Sequence, residues 1–293
     1  MRPVGYRTLI DGLTQLGLRS GDKLIAHASL SSFGLVEGGA RTVIEAILAV
    51  IGPRGTLMMP HFFSPFYEGA FDPRNPPPTT CGALPRLLRT WPDAVLSLHP
   101  SHPVVAVGLD AQRLTEGHFR ASPVGKDSPV DRMAKMGGKV LLLGVTQWVN
   151  TTIHTGEAYA GVSYWGRPRP DRPRGRWAIM PDGRTVWIPI PEYPGDSAGF
   201  HKIEPFLVER GLIAFGLIGR ARCRLMAGQP LIDAVVEFLS RDPGGLLCDR
   251  VDCTFCPWAR QFLSENAMAA GLKIRIDGRQ KEGGHVGSRT ADD

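Results

Sequence analysis

The sequence predicts an α/β fold with a mixed, largely parallel central sheet that is flanked by helices and carries antiparallel additions. Strand-like and helix-like segments alternate through the first half of the chain, as in folds built on a parallel sheet. The segment KVLLLGV at 139–145 is apolar on both faces, which is typical of a central strand covered on both sides. The segment RWAIMPDGRTVWIPI at 176–190 alternates with a rough period of two around Pro-Asp-Gly and indicates a hairpin.

The individual elements follow from hydrophobic periodicity and from chain breaks. Residues 8–18 are predicted to be helical because Leu9, Leu13 and Leu16 fall on one face. The break Gly-Pro-Arg-Gly separates a second helix from the strand TLMM. The other predicted elements are a strand at 23–28, a helix at 42–51, strands at 56–59, 103–107 and 139–145, helices at 199–210 and 229–240, and strands at 212–218 and 223–226.

The composition limits the classes of protein to which this chain can belong. The chain has 293 residues, of which 43% are hydrophobic, and this composition excludes disorder for most of its length. No apolar run approaches the roughly 20 residues that cross a bilayer, so no membrane association is expected. The N-terminus lacks the secretory pattern, and a cytoplasmic location is the expectation. We expect one domain over residues 1–277, with a possible insertion at 163–195, and a flexible Gly-rich tail at 278–293.

The net charge of +6 is concentrated in one place. The segment RPRPDRPRGR at 167–176 has five arginines and one aspartate, which leaves the rest of the chain nearly neutral. No nucleic-acid-binding motif accompanies it, so nucleic acid is not an expected partner. A solvated, proline-stiffened loop and an anion-binding loop are both compatible with this segment.

The most specific motif is NTTIHTGE at 150–157, directly after the strand KVLLLGV. This order places a helix N-terminus at the carboxyl end of a strand, where α/β folds bind ligands. His154 and Glu157 are three residues apart and therefore lie on one helix face. A histidine paired with a carboxylate suits a general base, although a surface ion pair would have the same spacing.

Two other loops could bind phosphate or carbonyl groups. ASLSSF at 28–33 follows a strand and supplies hydroxyl and backbone donors, as would an ordinary turn. ASPVGKDSP at 121–129 places Lys126 next to a helix N-terminus, and a plain capped loop is the alternative. The pair His99 and His102 is interpreted as structural in preference to metal-binding.

Cys248, Cys253 and Cys256 form the only cysteine spacing typical of a metal site, C-x4-C-x2-C. Zinc, a redox pair and free thiols compete as interpretations, and no fourth ligand lies nearby in sequence. No metal is therefore assigned. The zinc deaminase pattern and the Gly-x-Ser-x-Gly elbow of serine hydrolases are both missing from the sequence.

Taken in order, the motifs closely resemble the aminoglycoside 3-N-acetyltransferases, the antibiotic N-acetyltransferase family. The resemblance runs from about residue 8 to residue 239. It is carried by HASLSSFGLVEGGARTVIEAIL, GPRGTLMMPHF, FDPRNPP, HPSHPV, SPVGKDSPVDRM, GGKVLLLGV, NTTIHTGE, GFHKIEPFLVERGLI and GRARCRLM. It implies an α/β fold distinct from the common small acetyltransferase fold, with acetyl-CoA as co-substrate and no required metal. It also implies direct transfer of the acetyl group to an amine in a ternary complex.

The resemblance also implies residue roles. His154 maps onto the catalytic base and Glu157 onto its orienting carboxylate, and residues 30–33 would supply oxyanion donors. The implied CoA contacts are Ser29, Leu30, Ser31, Ser32, Phe33, Ser122, Gly125, Lys126 and Ser128. The implied carboxylates for a polycationic aminoglycoside are Glu68, Asp72, Asp196 and Glu204.

The sequence departs from the family pattern on the acceptor side. Leu96 and Ser97 stand where the family has Arg-Ser, Pro103 replaces a serine, and His61 replaces a threonine. An arginine-rich loop beside the cleft would repel a polycation. Acetylation of an amine that is not an aminoglycoside is therefore the main alternative. A zinc-binding or non-catalytic relative is a further one.

Overall fold

The computed structural model describes residues 3–169 and 171–269, with side chains of the last helix described as far as Glu265. The predicted tail at 278–293 lies outside the described residues. Within them, no helix combines the length and the apolar character that a membrane span requires. The nine α-helices of this described part are α1 (Tyr6–Leu16), α2 (Gly39–Ile51), α3 (Ala83–Leu88), α4 (Ala111–Thr115), α5 (Pro129–Lys135), α6 (Thr151–Ala160), α7 (Glu204–Glu209), α8 (Gly228–Arg241) and α9 (Phe255–Ala269).

A seven-stranded mixed sheet forms the centre of the molecule. Its order is β3-β4-β2-β1-β5-β9-β8. The strands are β1 (Lys23–Ala28), β2 (Thr56–Pro60), β3 (Val95–Leu96), β4 (Val104–Gly108), β5 (Lys139–Leu143), β8 (Ala214–Ile218) and β9 (Ala221–Ala227). One apolar core lies on each face of the sheet, with α1, α2 and α3 on one side and α6, α8 and α9 on the other. The predicted mixed α/β class is confirmed.

The parallel part of the sheet is smaller than the sequence predicted. Only β1 pairs in parallel, with β2 and β5, and the four outer strands are antiparallel to their neighbours. Connection length explains the difference, because parallel neighbours need a long crossover. Two residues join β8 to β9, which permits only a hairpin.

The predicted hairpin at 176–190 is present as β6 (Gly175–Ile179) and β7 (Thr185–Pro189), outside the main sheet. It is anchored by Phe71, whose N–H donates to the Trp177 carbonyl at 2.8 Å and whose carbonyl accepts from the Ile179 N–H at 2.9 Å. Phe63, Phe71, Ala178 and Ile188 form a small separate core beneath it. This anchor holds the adjacent arginine-rich segment against the body of the protein.

Candidate active site

Helix α6 begins at the carboxyl end of β5, after a single 3₁₀ turn (Gln147–Val149). Asn150 caps it, since its side-chain oxygen accepts from the Thr152 N–H at 3.2 Å. The Asn150 amide also donates to the Gln147 side chain at 2.7 Å, which fixes the orientation of the cap. A β carbon at Gly156 would lie 2.4 Å from Val235, so glycine allows α6 to pack closely on α8. The start of α6 is therefore rigidly placed.

His154, Glu157 and Tyr164 form a buried hydrogen-bonded chain. Nδ1 of His154 lies 2.6 Å from one Glu157 carboxylate oxygen, and the Tyr164 hydroxyl donates to the other oxygen at 2.8 Å. His154 is 7% exposed and Glu157 only 1%. Burial, together with the negative charge of Glu157, raises the pKa of Tyr164 well above its usual value, so this tyrosine remains a donor. The chain holds the carboxylate and the imidazole in one geometry.

The imidazole of His154 borders a cavity of about 1000 Å³, the main cavity. On one side the edge of the imidazole meets the Phe200 ring, with centroids 4.6 Å apart. Two groups of residues line much of the cavity. The serine wall comprises Ser29, Leu30, Ser31 and Gly34, and the histidine wall comprises Phe62, His102, Pro194, Gly195 and Ser197. None of the described lining residues has a permanently charged side chain, so the cavity itself is neutral.

Arginines of the 167–176 segment lie next to the histidine wall. Arg169 and Arg172 line an adjoining cavity of about 180 Å³ together with His102. Both pair with Asp171 at 2.8 Å, and Arg169 also donates to the Pro194 carbonyl at 3.3 Å. The Arg169 side chain is only 8% exposed. A purely solvated loop is therefore wrong for these two residues.

His102 is neutral in this setting. Burial is the main cause that lowers its pKa to about 3, and the neighbouring His154, His118, Arg172 and Arg169 act in the same direction. Its Nδ1 shares a hydrogen bond with the Ser101 hydroxyl at 2.8 Å, and its ring packs edge-on against Phe62. The sequence offered only a structural or metal role for this histidine. Its position between the two cavities was not predictable from the motif.

Comparisons with known proteins identify the family. A family profile described as Aminoglycoside 3-N-acetyltransferase matches residues 25–240. The chain belongs to the aminoglycoside 3-N-acetyltransferase family. It is 34% identical over 273 residues to aminoglycoside N(3)-acetyltransferase III of a Salmonella species, covering 81% of this chain and 92% of that protein.

Solved structures agree with this assignment. The chain is similar to aminoglycoside acetyltransferase AAC(3)-IVa, solved as a histidine-to-alanine mutant in complex with a gentamicin, with a TM-score of 0.79 and 30% identity. That match covers 89% of this chain and 98% of the other. A second match, AAC-IIIb in a binary complex with CoASH, has a TM-score of 0.73 and 26% identity over 82% of this chain and 97% of the other. The protein is an acetyltransferase.

The predicted CoA contacts at 29–33 are only partly brought together in this acetyltransferase. Ser29, Leu30 and Ser31 line the main cavity. Ser32 turns inward, where its hydroxyl donates to the Ser29 carbonyl at 2.6 Å, and Phe33 is 1% exposed in the apolar core. The 3₁₀ turn (Leu30–Phe33) rotates its second half away from the cavity, so Ser32 and Phe33 do not line it.

The predicted contacts at 122–128 lie outside the main cavity. Ser122 and Lys126 line a separate cavity of about 440 Å³. The Ser122 hydroxyl accepts from the Gly125 N–H at 2.8 Å, and buried Ser128 caps α5 by accepting from the Asp131 N–H at 3.3 Å. Gly125 and Ser128 therefore shape the loop. The residue of this loop that does line the main cavity is Val124, which the sequence interpretation missed.

None of the four predicted acceptor carboxylates, all of which the structure describes, lines the main cavity. Glu204 forms two hydrogen bonds of 2.8 Å to Arg224, and Asp72 pairs with Arg74. Asp196 faces the cysteines, and Glu68 is exposed. Each of the first three carboxylates is held by a local donor, which the motif-based assignment could not foresee.

The fold brings a fourth potential metal ligand next to the three cysteines. Sγ atoms of Cys248, Cys253 and Cys256 and a carboxylate oxygen of Asp196 all lie within 4.8 Å of one another. Asp196 is 52 residues before Cys248, so sequence proximity could not reveal it. Within the described residues, no other group of three or more potential ligands meets this geometry.

Proposed function

We propose that this acetyltransferase transfers the acetyl group of acetyl-CoA to an amino group of an aminoglycoside, the 3-amino group by family. The amine attacks the thioester carbonyl directly in a ternary complex, with His154 as the general base. The C–S bond then breaks, and CoA leaves as a thiolate that takes up a proton. The observation that supports this proposal most strongly is the buried chain from Tyr164 through Glu157 to His154, with the imidazole bordering an open cavity.

The hydrogen-bond pattern selects the tautomer that such a base needs. An ionised carboxylate only accepts hydrogen bonds, so the proton shared by His154 and Glu157 is on Nδ1. Nε2 is then left with its lone pair free to take a proton. An ammonium group must lose a proton before its nitrogen can attack a thioester. A positioned base contributes about 10²- to 10⁴-fold to such a step.

The serine wall suits the acetylated end of acetyl-CoA. Ser29 and Ser31 have their hydroxyl oxygens 3.2 Å apart beside the cavity, and Leu30 and Ser31 open the 3₁₀ turn. The first N–H groups of a helical turn have no partner within the turn, so they can donate to the thioester oxygen as it becomes negative. AAC-IIIb, solved with CoASH, supports acetyl-CoA as the co-substrate. Every step of this mechanism uses residues of this chain and no metal.

The histidine wall would receive the acceptor amine. Family relatives named for aminoglycosides support an aminoglycoside there. A second candidate is an amine with fewer positive charges. It is favoured by Arg169 and Arg172 beside this wall and by the lack of a carboxylate among the described lining residues.

An acceptor panel tests the proposal. Release of CoA from acetyl-CoA is followed with several aminoglycosides, with neutral monoamines and with amines that also carry a carboxylate. We expect turnover with at least one aminoglycoside and acetylation of its 3-amino group in the product. Turnover only with the less cationic amines would favour the second candidate, and no turnover with any amine would overturn the acetyltransfer mechanism.

A further inference from the structure

We propose that Asp196, Cys248, Cys253 and Cys256 bind one structural zinc ion. The four potential ligand atoms lie within 4.8 Å of one another. The Asp196 Oδ2 atom is 3.0 Å from the Cys253 sulfur and 3.7 Å from the Cys248 sulfur. Tetrahedral zinc, with bonds of about 2.3 Å to sulfur and 2.0–2.2 Å to oxygen, holds its ligands about 3.4–3.8 Å apart. Small side-chain adjustments would complete the tetrahedron.

Backbone N–H groups orient three of the four ligand side chains. The second oxygen of Asp196 accepts from the Ala198 N–H at 2.7 Å, which orients the carboxylate. Backbone N–H groups also point at two sulfurs: that of Cys248 at the Cys256 sulfur (3.1 Å) and that of Cys256 at the Cys253 sulfur (3.3 Å). Binding of zinc would release one proton from each of the three thiols.

The charge balance around the site supports a bound cation with anionic ligands. Three thiolates and one carboxylate around Zn²⁺ leave a net charge of about −2. Arg169, Arg172 and Arg250 line the cavity of about 350 Å³ that borders Asp196 and Cys253. The Arg260 guanidinium donates to the Cys248 carbonyl at 2.9 Å. Asp171 and Asp252 line the same cavity and pair with these arginines, so a small positive excess remains there. This excess would offset part of the negative charge, which gives the arginine-rich segment a second role beside the cysteines.

The ligand set indicates a structural role for the metal. Four protein ligands complete a tetrahedron, so no open position remains for a substrate. Three of the four are soft sulfur atoms, which suit zinc. Cys256 is 0% exposed and Cys248 is 3% exposed. The aromatic rings of Phe255 and Trp258 pack together beside these cysteines.

The zinc ion would tie the end of the chain to the histidine wall. Asp196 stands between Gly195 and Ser197, which both line the main cavity. A few residues further on, Phe200 packs against the His154 ring. Cys248 and Cys253 belong to the segment that leads into α9, and Cys256 lies in the first turn of that helix. Zinc would therefore fix both the acceptor side of the cavity and the start of the last helix, and it would take no part in the chemical step.

Metal analysis of the full-length protein tests this proposal independently of any acceptor. Protein purified without chelator is expected to contain about one zinc ion per chain, measured by mass spectrometry of the elements. Cys248→Ser and Asp196→Asn should each lower the zinc content at least about fivefold, since each removes a ligand. Cys223→Ala is the matched control, because Cys223 lies in β9 away from the cluster, and it should keep the full content.

Two measurements on the wild-type protein keep the test valid if a variant fails to fold. Removal of zinc should lower Tm by about 5 °C or more and speed hydrogen exchange at residues 194–198. Cobalt added to the metal-free protein should give the absorption of a tetrahedral thiolate complex. Wild-type protein from zinc-containing medium with no bound metal, or with two of the three cluster cysteines joined in a disulfide, would overturn the proposal.

Discussion

The serine wall and the histidine wall of the cavity are built in different ways. The serine wall comes from one short segment directly after β1, a central strand, next to the carboxyl end of β5. The histidine wall comes from three segments far apart in sequence, around residues 62, 102 and 194–197. Contacts such as the Arg169 hydrogen bond to the Pro194 carbonyl hold it together. One wall follows from the sheet, and the other depends on long-range contacts.

The largest effect on activity is expected from a substitution of His154. This substitution distinguishes the chemical step from the binding of acetyl-CoA at the serine wall. We expect His154→Ala to lower kcat about 10³-fold because no base remains to take the amine proton. The dissociation constant for acetyl-CoA should change less than about threefold, since the serine wall is intact. Steady-state kinetics and calorimetric titration measure the two quantities.

His201→Ala is the control for that experiment. His201 is exposed, and its Nδ1 lies 3.0 Å from the Ala198 carbonyl, so its removal should leave kcat nearly unchanged. A His154→Ala variant that retains a tenth or more of wild-type activity would show that the base is another group.

Lower pH should destabilise the fold around the histidine wall more than the fold around the serine wall. Burial lowers the pKa of His61 to about 4 and those of His102 and His118 to about 3. Beside the serine wall, only His27 of the described histidines behaves in this way, with its pKa lowered by burial to about 3. Each of these histidines takes up a proton in the unfolded chain below about pH 6.5 but stays neutral in the folded protein. Lowering the pH therefore favours unfolding.

From pH 7 to pH 5.5, the free energy of unfolding should fall by about 1 kcal/mol for each such histidine. Urea titrations at the two pH values measure the summed change in the free energy of unfolding. Hydrogen exchange should accelerate first at residues 97–102 and 118 and later at 27–33. Stability that is constant or rises over this range would mean that these histidines are protonated in the folded protein.

The smallest effect on activity is expected from a substitution of Arg172. It tests whether the positive charge beside the histidine wall influences which amine is accepted. Arg172→Gln should raise kcat/KM for a polycationic aminoglycoside about 3- to 10-fold and lower it for an amine that carries a carboxylate. Both changes should shrink at high salt. Arg184→Gln, at the exposed turn of the hairpin, is the matched control and should have no such effect, because Arg184 is not among the residues that line either cavity. Equal changes for both classes of amine would show that Arg172 acts through structure and not through charge.

The predictable features are those specified by neighbouring residues. The strand that begins at Lys139, the start of a helix soon after it, and the three-residue spacing of His154 and Glu157 are local, and the structure contains all three. Tyr164 was missed because its approach to Glu157 depends on the turn after α6. The partner of the cysteines, Asp196, lies 52 residues before Cys248, and only the fold brings it near. Three of the expected acceptor carboxylates, those of Asp72, Asp196 and Glu204, face nearby donors and not the main cavity, and motif order does not reveal such contacts.

The central claim is that His154 and Glu157 act as one unit, and a double-mutant cycle measures this directly. Glu157→Gln keeps the side-chain size but cannot accept the Nδ1 proton in the same way, and we expect kcat to fall about 10²-fold. In the double variant, kcat should be within about threefold of that of His154→Ala alone, because Glu157 has no imidazole left to orient. Losses that multiply to about 10⁵-fold would contradict the account, since they would mean that the two residues act independently.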